Sequence, residues 1–260
     1  MSIALQVALV MVTILVVLLV IGAPIGVAIG MSSAVSMICM IPADVSFATS
    51  AQRIFAGSNS FSLIAIPFFI LAGNIMNNGG IATRLVNCAK VISGRMPGAL
   101  AQSNVVANML FGAISGSGAA AAAAMGGTIG PLEEKEGYDK NYSTAVNVAS
   151  APVGMLIPPS NTMIVYSSVA GSVSIAALFM AGYIPGLLWG GAVMILAGIM
   201  AKKRGYQAEQ RVPVKVALKT FWQAIPSLLL IVIVIGGILG GIFTATEGSA
   251  IAIFRFVLID

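Results

Sequence analysis

The chain is 260 residues long, 58% hydrophobic and only 8% charged, with 13 Lys and Arg against 8 Asp and Glu and no histidine. Ordinary soluble domains carry about 25% charged residues, so this composition excludes a soluble globular protein and implies an all-α polytopic membrane protein. The net charge of +5 is no sign of nucleic acid, because the basic residues sit in short loops, where the positive-inside rule accounts for them.

Residues 4–21 and 24–41 are apolar segments joined at Gly22-Ala23-Pro24, too short a link for anything but a tight turn. The first basic residue is Arg53, so the start lacks the positive region of a secretory signal, and 5–21 reads as a first transmembrane helix that stays. Residues 42–60 form a polar connector with an amphipathic portion around Phe47, Ala51, Ile54 and Phe55. A third span, 61–76, is interrupted by Pro67 and closed by Asn77-Asn78-Gly79-Gly80. Residues 81–92 repeat apolar side chains at Ile81, Leu85, Cys88, Ala89 and Ile92, the pattern of a helix lying along the membrane interface. Cys39 and Cys88 stand at no metal or redox spacing and read as structural.

The stretch from Pro97 to Pro131 has two apolar arms, 98–112 and 119–130, around the small polar tip Ser115-Gly116-Ser117-Gly118. Each arm is shorter than the roughly 20 residues that span a bilayer core. Two short helices meeting at the tip, a re-entrant hairpin, satisfy the backbone better than one long helix with a glycine-rich break. After a charged loop at 133–140 comes 142–171, a span with Pro152, Gly154, Pro158 and Pro159 at its centre. Proline removes a backbone donor and clashes with the preceding turn, so this helix breaks, its first half ending near Val153-Gly154 and its second restarting at Pro159-Ser160-Asn161-Thr162. Residues 174–201 make a long span, about 42 Å at 1.5 Å per residue, tilted or bent at Pro185-Gly186. A polar loop, an amphipathic helix (214–224) and a further span (227–243) follow, and Thr244-x-x-Glu247 fits a capping box opening the last apolar stretch.

With the N-terminus outside and the hairpin returning to its own side, Arg84, Lys90, Arg95, Lys135, Lys140, Lys202, Lys203, Arg204, Arg211, Lys215 and Lys219 all fall on the cytoplasmic face. A single crossing at the hairpin would split them between both faces, so the positive-inside rule favours re-entry. ILVVLLVIGAPIGVAIG (14–30) also echoes IVIVIGGILGGIFTATEGSAIAI (231–253), one beginning outside and the other inside. Inverted repeats of this kind build secondary transporters, although glycine-rich apolar runs also echo by chance.

At the hairpin tip, the end of the first arm offers unpaired carbonyls to a cation, and the start of the second offers N–H groups and a positive dipole to a carboxylate. The broken helix repeats this arrangement. The candidate ion and substrate site is therefore Ser115, Gly116, Ser117 and Gly118 with Gly154, Pro158, Pro159, Ser160, Asn161 and Thr162, and Na+ is expected near Ser115, Gly116 and Gly154. The competing reading, small residues that only permit close helix packing, suits the alanine run 119–124. No Asp or Glu lies within 98–131 or 142–171, so the expected coupling ion is Na+, which neutral oxygens can hold, and not a proton. The absence of histidine, G-x-S-x-G and a phosphate-binding loop argues against an enzyme or nucleotide hydrolysis, and every Lys lies in a loop or at a span end, which weakens a Ser–Lys pair. No further cofactor is expected. A purely structural membrane subunit would explain the composition but not two breaks at mid-membrane.

The hairpin GAISGSGAAAAAAMGGTIGP, the broken helix APVGMLIPPSNTMIVYSSVAGSVSIAALFMAGYIPG and the later GIFTATEGSA resemble the large membrane subunit of tripartite ATP-independent periplasmic (TRAP) transporters, from the first span to about Ile253. The resemblance implies a Na+-driven, elevator-type, inverted-repeat secondary transporter of the ion transporter superfamily kind, importing organic acids (C4-dicarboxylates, keto acids or sialic acids) across a bacterial inner membrane. The partners implied are a small membrane subunit and a periplasmic substrate-binding protein. The alternatives are a stand-alone Na+-coupled carboxylate carrier and a non-functional fragment. By the same analogy, residues 1–78 are scaffold spans, 79–96 the interfacial helix, 97–173 half of the transport domain, 174–213 a long span with its loop, and 214–260 the start of a second repeat. Two departures stand out: Ala245 replaces the proline usual in the family's TxTE motif, and Phe254-Arg255-Phe256 puts a charge where the second repeat should be apolar, so the expectation is a chain truncated at the start of that repeat.

Overall fold

Aliphatic residues with good helix propensity, and a need to satisfy every backbone group internally in lipid, leave helices as the regular structure open to this sequence. The computed structural model describes residues 3–171, 173–208 and 213–259, and among them no strand occurs. Arg211, one of the basic residues assigned above to the cytoplasmic face, lies outside the described residues. The chain divides into two units, Met1–Ser60 and Phe61–Asp260.

The first unit holds α1 (Ile3–Val20), α2 (Ile25–Ile38) and α3 (Ala43–Ser58). α1 buries no residue, while α2 turns the small side chains of Ala28, Ser32, Ala34 and Ser36 inward. The polar connector expected at 42–60 is thus mostly helix. Ser46 ties α3 to α2 by donating its hydroxyl to Ala34 O at 2.7 Å, and Phe47, Ile54 and Phe55 stay exposed.

The second unit begins with a 3-10 turn, Phe61–Ile64, then α4 (Ala65–Asn78), α5 (Ile81–Ser93), α6 (Ala99–Ser115), α7 (Gly118–Thr128), α8 (Gly130–Lys135), α9 (Lys140–Ser150), α10 (Val153–Leu156), α11 (Asn161–Ala170), α12 (Ile175–Lys203), α13 (Val214–Leu239) and α14 (Ala245–Ile259). Pro67 does not interrupt the third span. It sits in the first turn of α4, where a missing N–H costs least. The apolar stripe of α5 is covered by protein, packed on α6 and α13, though Ile92 is exposed. The amphipathic helix and span expected at 214–224 and 227–243 are one helix, α13, with Pro226 inside it. Its buried side chains Leu230, Val234 and Ile238 repeat every four residues, so packing along this face outweighs the one backbone bond that proline removes. α14 packs along α4 and opens on the expected capping box: Glu247 Oε2 accepts from Thr244 N at 2.7 Å, and Thr244 Oγ1 accepts from Glu247 N at 3.3 Å. Both copies of the sequence echo fold as a helix, a turn with a positive-φ glycine (Gly22, φ 87°; Gly241, φ 68°) and a second helix.

Among the described residues three helices, α1, α12 and α13, are long and apolar enough to cross a membrane, and α9–α10 with α11 pass the same test together across a bend of 47°. The charge count gives a direct test of orientation. Single cysteines replacing Ser58 and Gln207, both exposed, in a background without Cys39 and Cys88, label from outside and from the cytoplasm respectively. The reverse pattern rejects the topology and the re-entrant hairpin with it.

Candidate functional site

α6 and α7 fold back on each other, as one side chain demonstrates. Asn147 of α9 accepts from Asn108 Nδ2 at 3.0 Å and donates to Ala122 O at 2.9 Å. Along a straight helix, residues 108 and 122 would stand about 21 Å apart, far beyond the reach of one amide. The hairpin therefore closes at its tip. There Gly116 takes φ +63°, the left-handed geometry glycine tolerates, and caps α6 by donating to Gly112 O at 2.8 Å. Ser117 then starts α7, its hydroxyl accepting from Ala120 N at 3.3 Å. α11 and α12 restart in the same way, on Ser160 and Ser174, each a serine cap worth about 1 kcal/mol.

The second break falls later than its proline and glycine content suggests. Ala151 and Pro152 keep helical dihedrals and α10 runs to Leu156. The chain then extends at Ile157 (φ −80°, ψ 124°). A residue preceding proline is disfavoured in the α region, and neither Pro158 nor Pro159 has an N–H to continue the helix. So the interruption is Ile157 to Ser160, and Val153-Gly154 lies within helix.

The two breaks meet. The backbone N–H of Asn161, first residue of α11, donates to Gly116 O at 3.2 Å, and its side-chain Nδ2 to Ser115 O at 3.4 Å. The negative end of the α6 dipole thus faces the positive end of α11. A Cβ on Gly116 would stand 3.0 Å from Pro159 O, and one on Gly118 2.9 Å from Ala151 O. One turn back from the tip, Gly112 and Gly154 bring α6 and α10 into backbone contact, a Cβ on Gly112 falling 2.1 Å from Gly154 Cα.

Of the residues read from sequence, Ser115, Gly116, Pro159, Ser160 and Asn161 gather at this junction, with Ser117, Gly118 and Pro158 beside them. Gly154 instead serves helix packing, and Thr162 is exposed. The Ser160 hydroxyl is committed to Met155 O and Met163 N. Asn161 Oδ1, by contrast, is buried without a hydrogen-bond partner. The Ser115 hydroxyl and the carbonyls of Ser115, Gly116 and Pro159 lie at the same junction. No group of three or more His, Cys, Asp or Glu that could hold a metal ion occurs among the described residues.

Sequence reasoning missed three features. Gly182, Gly186 and Gly190 on α12 form a groove for α10, Ile157 and α6: an added Cβ would meet Leu156 O at 2.2 Å, Ile157 Cγ1 at 2.7 Å and Met109 Sδ at 2.8 Å. Their spacing of four was visible as a small-xxx-small pattern. Asn104 and Asn108, one turn apart on α6, join Asn147 and Ser150 in a buried network that holds α6, α7 and α9 together. The third is Glu133, placed by sequence in a charged loop but only 1% exposed. Burial pushes its carboxyl up from 4.5 to about 7, against a smaller opposing effect of Ser143 and Asn104. Glu133, Glu134, Tyr138 and Lys140 line an open pocket between α6, α7, α8 and α9.

The shift at Glu133 has a defined consequence. A carboxyl raised in the fold favours the protonated state, so its contribution is full below about pH 4.5 and is lost as pH rises through 7. In Na+-free buffer the wild-type chain is expected to melt lower at pH 8.5 than at 5.5. Glu133→Gln flattens that profile and raises stability at pH 8.5, by on the order of 3 kcal/mol at most. Unchanged pH dependence in the variant refutes the assignment.

Apolar helices long enough to span a bilayer, with a helical hairpin and a broken helix that meet at their ends, describe a polytopic membrane protein. The chain belongs to the family described as tripartite ATP-independent periplasmic transporter, DctM component, which it matches over residues 12–260. It is 54% identical over 222 residues to the uncharacterized protein YgiK of Salmonella typhimurium, covering 85% of this chain and 51% of that protein. It is 38% identical over 224 residues to the C4-dicarboxylate TRAP transporter large permease protein DctM of Rhodobacter capsulatus (81% and 51%) and 40% identical over 207 residues to the sialic acid TRAP transporter large permease protein SiaM of Vibrio cholerae (78% and 47%). The chain spans about half the length of these curated relatives. The DctM and SiaM relatives are named as transporter permeases and not as enzymes, and the family places the chain in the bacterial inner membrane.

Proposed function

We propose that this chain supplies the hairpin and broken helix of a Na+-driven TRAP large permease that imports organic acids. A periplasmic binding protein delivers the substrate and a small membrane subunit completes the transporter. The reading rests above all on the junction of Asn161 with Ser115 and Gly116, where two helix ends of opposite polarity leave a buried, unpartnered Asn161 Oδ1 among neutral oxygens. The names of the relatives, which include C4-dicarboxylate, sialic acid and 2,3-diketo-L-gulonate transporters, support an organic acid as cargo. In this reading the second unit carries the moving part of an elevator, and an inverted second repeat supplies the matching tip.

Since the chain spans about half of its relatives, residues 1–260 alone are expected not to transport, even with both partners present. An unpaired backbone group costs several kcal/mol in hydrocarbon, and a second tip would cover those of the first. Uptake of an organic acid into proteoliposomes holding residues 1–260 contradicts this. The decisive assay for the function uses the chain joined to the C-terminal half of the Salmonella relative, under an imposed Na+ gradient and, separately, an imposed proton gradient. Uptake driven by Na+ supports the proposal, and uptake driven by protons alone refutes it.

A further inference from the structure

An open groove runs along the last three turns of α12, beside the turn that joins α5 to α6. One side is made by Gly191, Ile195, Gly198 and Lys202, which are four, three and four residues apart and so share one face of the helix. Met96 and Pro97 of the turn make the other side. The groove is apolar along its length, because Gln102, its one polar side chain besides Lys202, donates Nε2 to Met194 O at 2.9 Å and is 2% exposed. A Cβ on Gly191 would meet nothing within 4 Å, and Ile195 and Met96 are 66% and 42% exposed. From residue 191 to residue 202 the groove measures about 16 Å at 1.5 Å per residue, half of the roughly 30 Å hydrocarbon core of a bilayer. One end is basic. A Cβ on Gly98 would stand 2.5 Å from Ala201 Cβ, so the turn that carries Arg95 lies against the end of α12 that carries Lys202 and Lys203, all three exposed. Among the described residues no Asp or Glu lines the groove. The next basic residue, Arg204, is already paired with Asp139 at 3.2 Å.

We propose that this groove binds one anionic phospholipid, whose acyl chain lies along Gly191, Ile195 and Gly198 and whose phosphate is held by Lys202 and Arg95. Length and charge together select this occupant. A trough one leaflet deep that ends on basic side chains fits a molecule with a chain of that reach and a negative head. A spanning helix of another protein would continue through the second leaflet and would leave the basic end unmatched. Positive charge at a helix end is by itself explained by orientation in the membrane, but the trough that leads to it is not. Glycine is a poor residue for a helix interior, and no neighbouring atom crowds the place of a Cβ on Gly191, so packing within the chain does not call for glycine there. A bound acyl chain does. The site is separate from the tip and requires only that the chain lies in a membrane, so it does not rest on the transport reading.

The test is titration of the purified 260-residue chain in detergent with dioleoyl phosphatidylglycerol and, separately, dioleoyl phosphatidylcholine, with bound lipids counted by native mass spectrometry. The wild-type chain is expected to hold one phosphatidylglycerol about tenfold or more tighter than phosphatidylcholine. Lys202→Gln and Arg95→Gln each weaken phosphatidylglycerol about fivefold, the effect of one basic side chain beside an anionic headgroup, and leave phosphatidylcholine unchanged. Lys219→Gln, on α13, which does not line the groove, changes neither. Gly191→Leu fills the trough and weakens both lipids about tenfold or more, while a better helix former in open space keeps melting at or above that of wild type. Size-exclusion elution and circular dichroism establish that each variant is folded, and should Gly191→Leu fail to fold, Lys202→Gln decides. Equal affinity for the two lipids in wild type overturns the proposal, as does undiminished phosphatidylglycerol binding in folded Gly191→Leu or in Lys202→Gln. Displacement of the lipid by glycerol 3-phosphate at equal concentration assigns the basic end alone and overturns it too. The chain joined to the C-terminal half of the Salmonella relative is expected to retain the single phosphatidylglycerol. Its loss there gives the groove to a protein segment and discards the lipid.

Discussion

Gly112→Ala is expected to give a chain that no longer holds α6 against α10. The added Cβ would stand 2.1 Å from Gly154 Cα and 3.0 Å from Gly154 N, and the reciprocal Gly154→Ala would put a Cβ 2.6 Å from Gly112 Cα. Real Cβ atoms do not approach so closely, and the obstacles are backbone atoms that no rotamer change can move. Overpacking a core typically costs about 1–3 kcal/mol. Here the cost is at the top of that range or above it, because two helices must separate and take the tip with them. Melting in detergent, read by tryptophan fluorescence or loss of monodisperse elution, should drop by many degrees for either variant. Gly127→Ala is the matched control. It lies in α7 with nothing within 4 Å of its added Cβ, and alanine is the better helix former by about 1 kcal/mol, so its melting should hold or rise. A Gly112→Ala chain that melts with the wild type would show that α6 and α10 do not pack as described.

The second large effect is expected at the junction of the two breaks. Gly116→Val forces a β-branched residue into φ +63° and sets a Cβ 3.0 Å from Pro159 O and 3.2 Å from Asn161 N, so the α11 start is pushed off the α6 end and the Na+-driven uptake proposed for the chain joined to a C-terminal half is expected to be abolished. Asn161→Ala is the finer probe. It removes the unpartnered Oδ1 and a weak 3.4 Å bond from Nδ2 to Ser115 O, but leaves the backbone bond to Gly116 O. Its expected signature is a Na+ half-saturation raised about tenfold, with the binding protein's affinity for substrate unchanged. Ser117→Ala should act mainly on folding, since that hydroxyl caps α7, and should cost about 1 kcal/mol of stability. An unaltered sodium response in Asn161→Ala would leave the breaks as hinges without an ion.

Local rules carried far in this chain because they act within a turn or two. Proline's missing donor and its effect on the preceding residue, glycine's left-handed freedom and serine's capping all depend on a few neighbours. That is why Ser115-Gly116-Ser117, the Pro158-Pro159 interruption and the Thr244–Glu247 box could be read from residue order. Even there, the placement of the second break at Val153-Gly154 was early by one turn. Pro152 alone does not force its own residue out of helical dihedrals, whereas Pro159 follows an N–H-less residue and the helix ends.

What residue order left open depended on partners distant in sequence. Asn161 finds Gly116 across 44 intervening positions, and nothing local to either residue dictates that meeting. Gly154 belongs to helix packing and not to the tip because α6 happens to present Gly112 to it. Glu133 was the clearest case: a charged residue in a polar run reads as solvated, yet α6, α7 and α9 close over it and leave it 1% exposed. Burial is a property of the whole packing arrangement, so it cannot be read from a residue's own neighbours. The all-helical class and the two breaks followed from composition and local chemistry. That the breaks meet, and that a carboxylate lies enclosed at the far end of the same hairpin, was decided by tertiary structure.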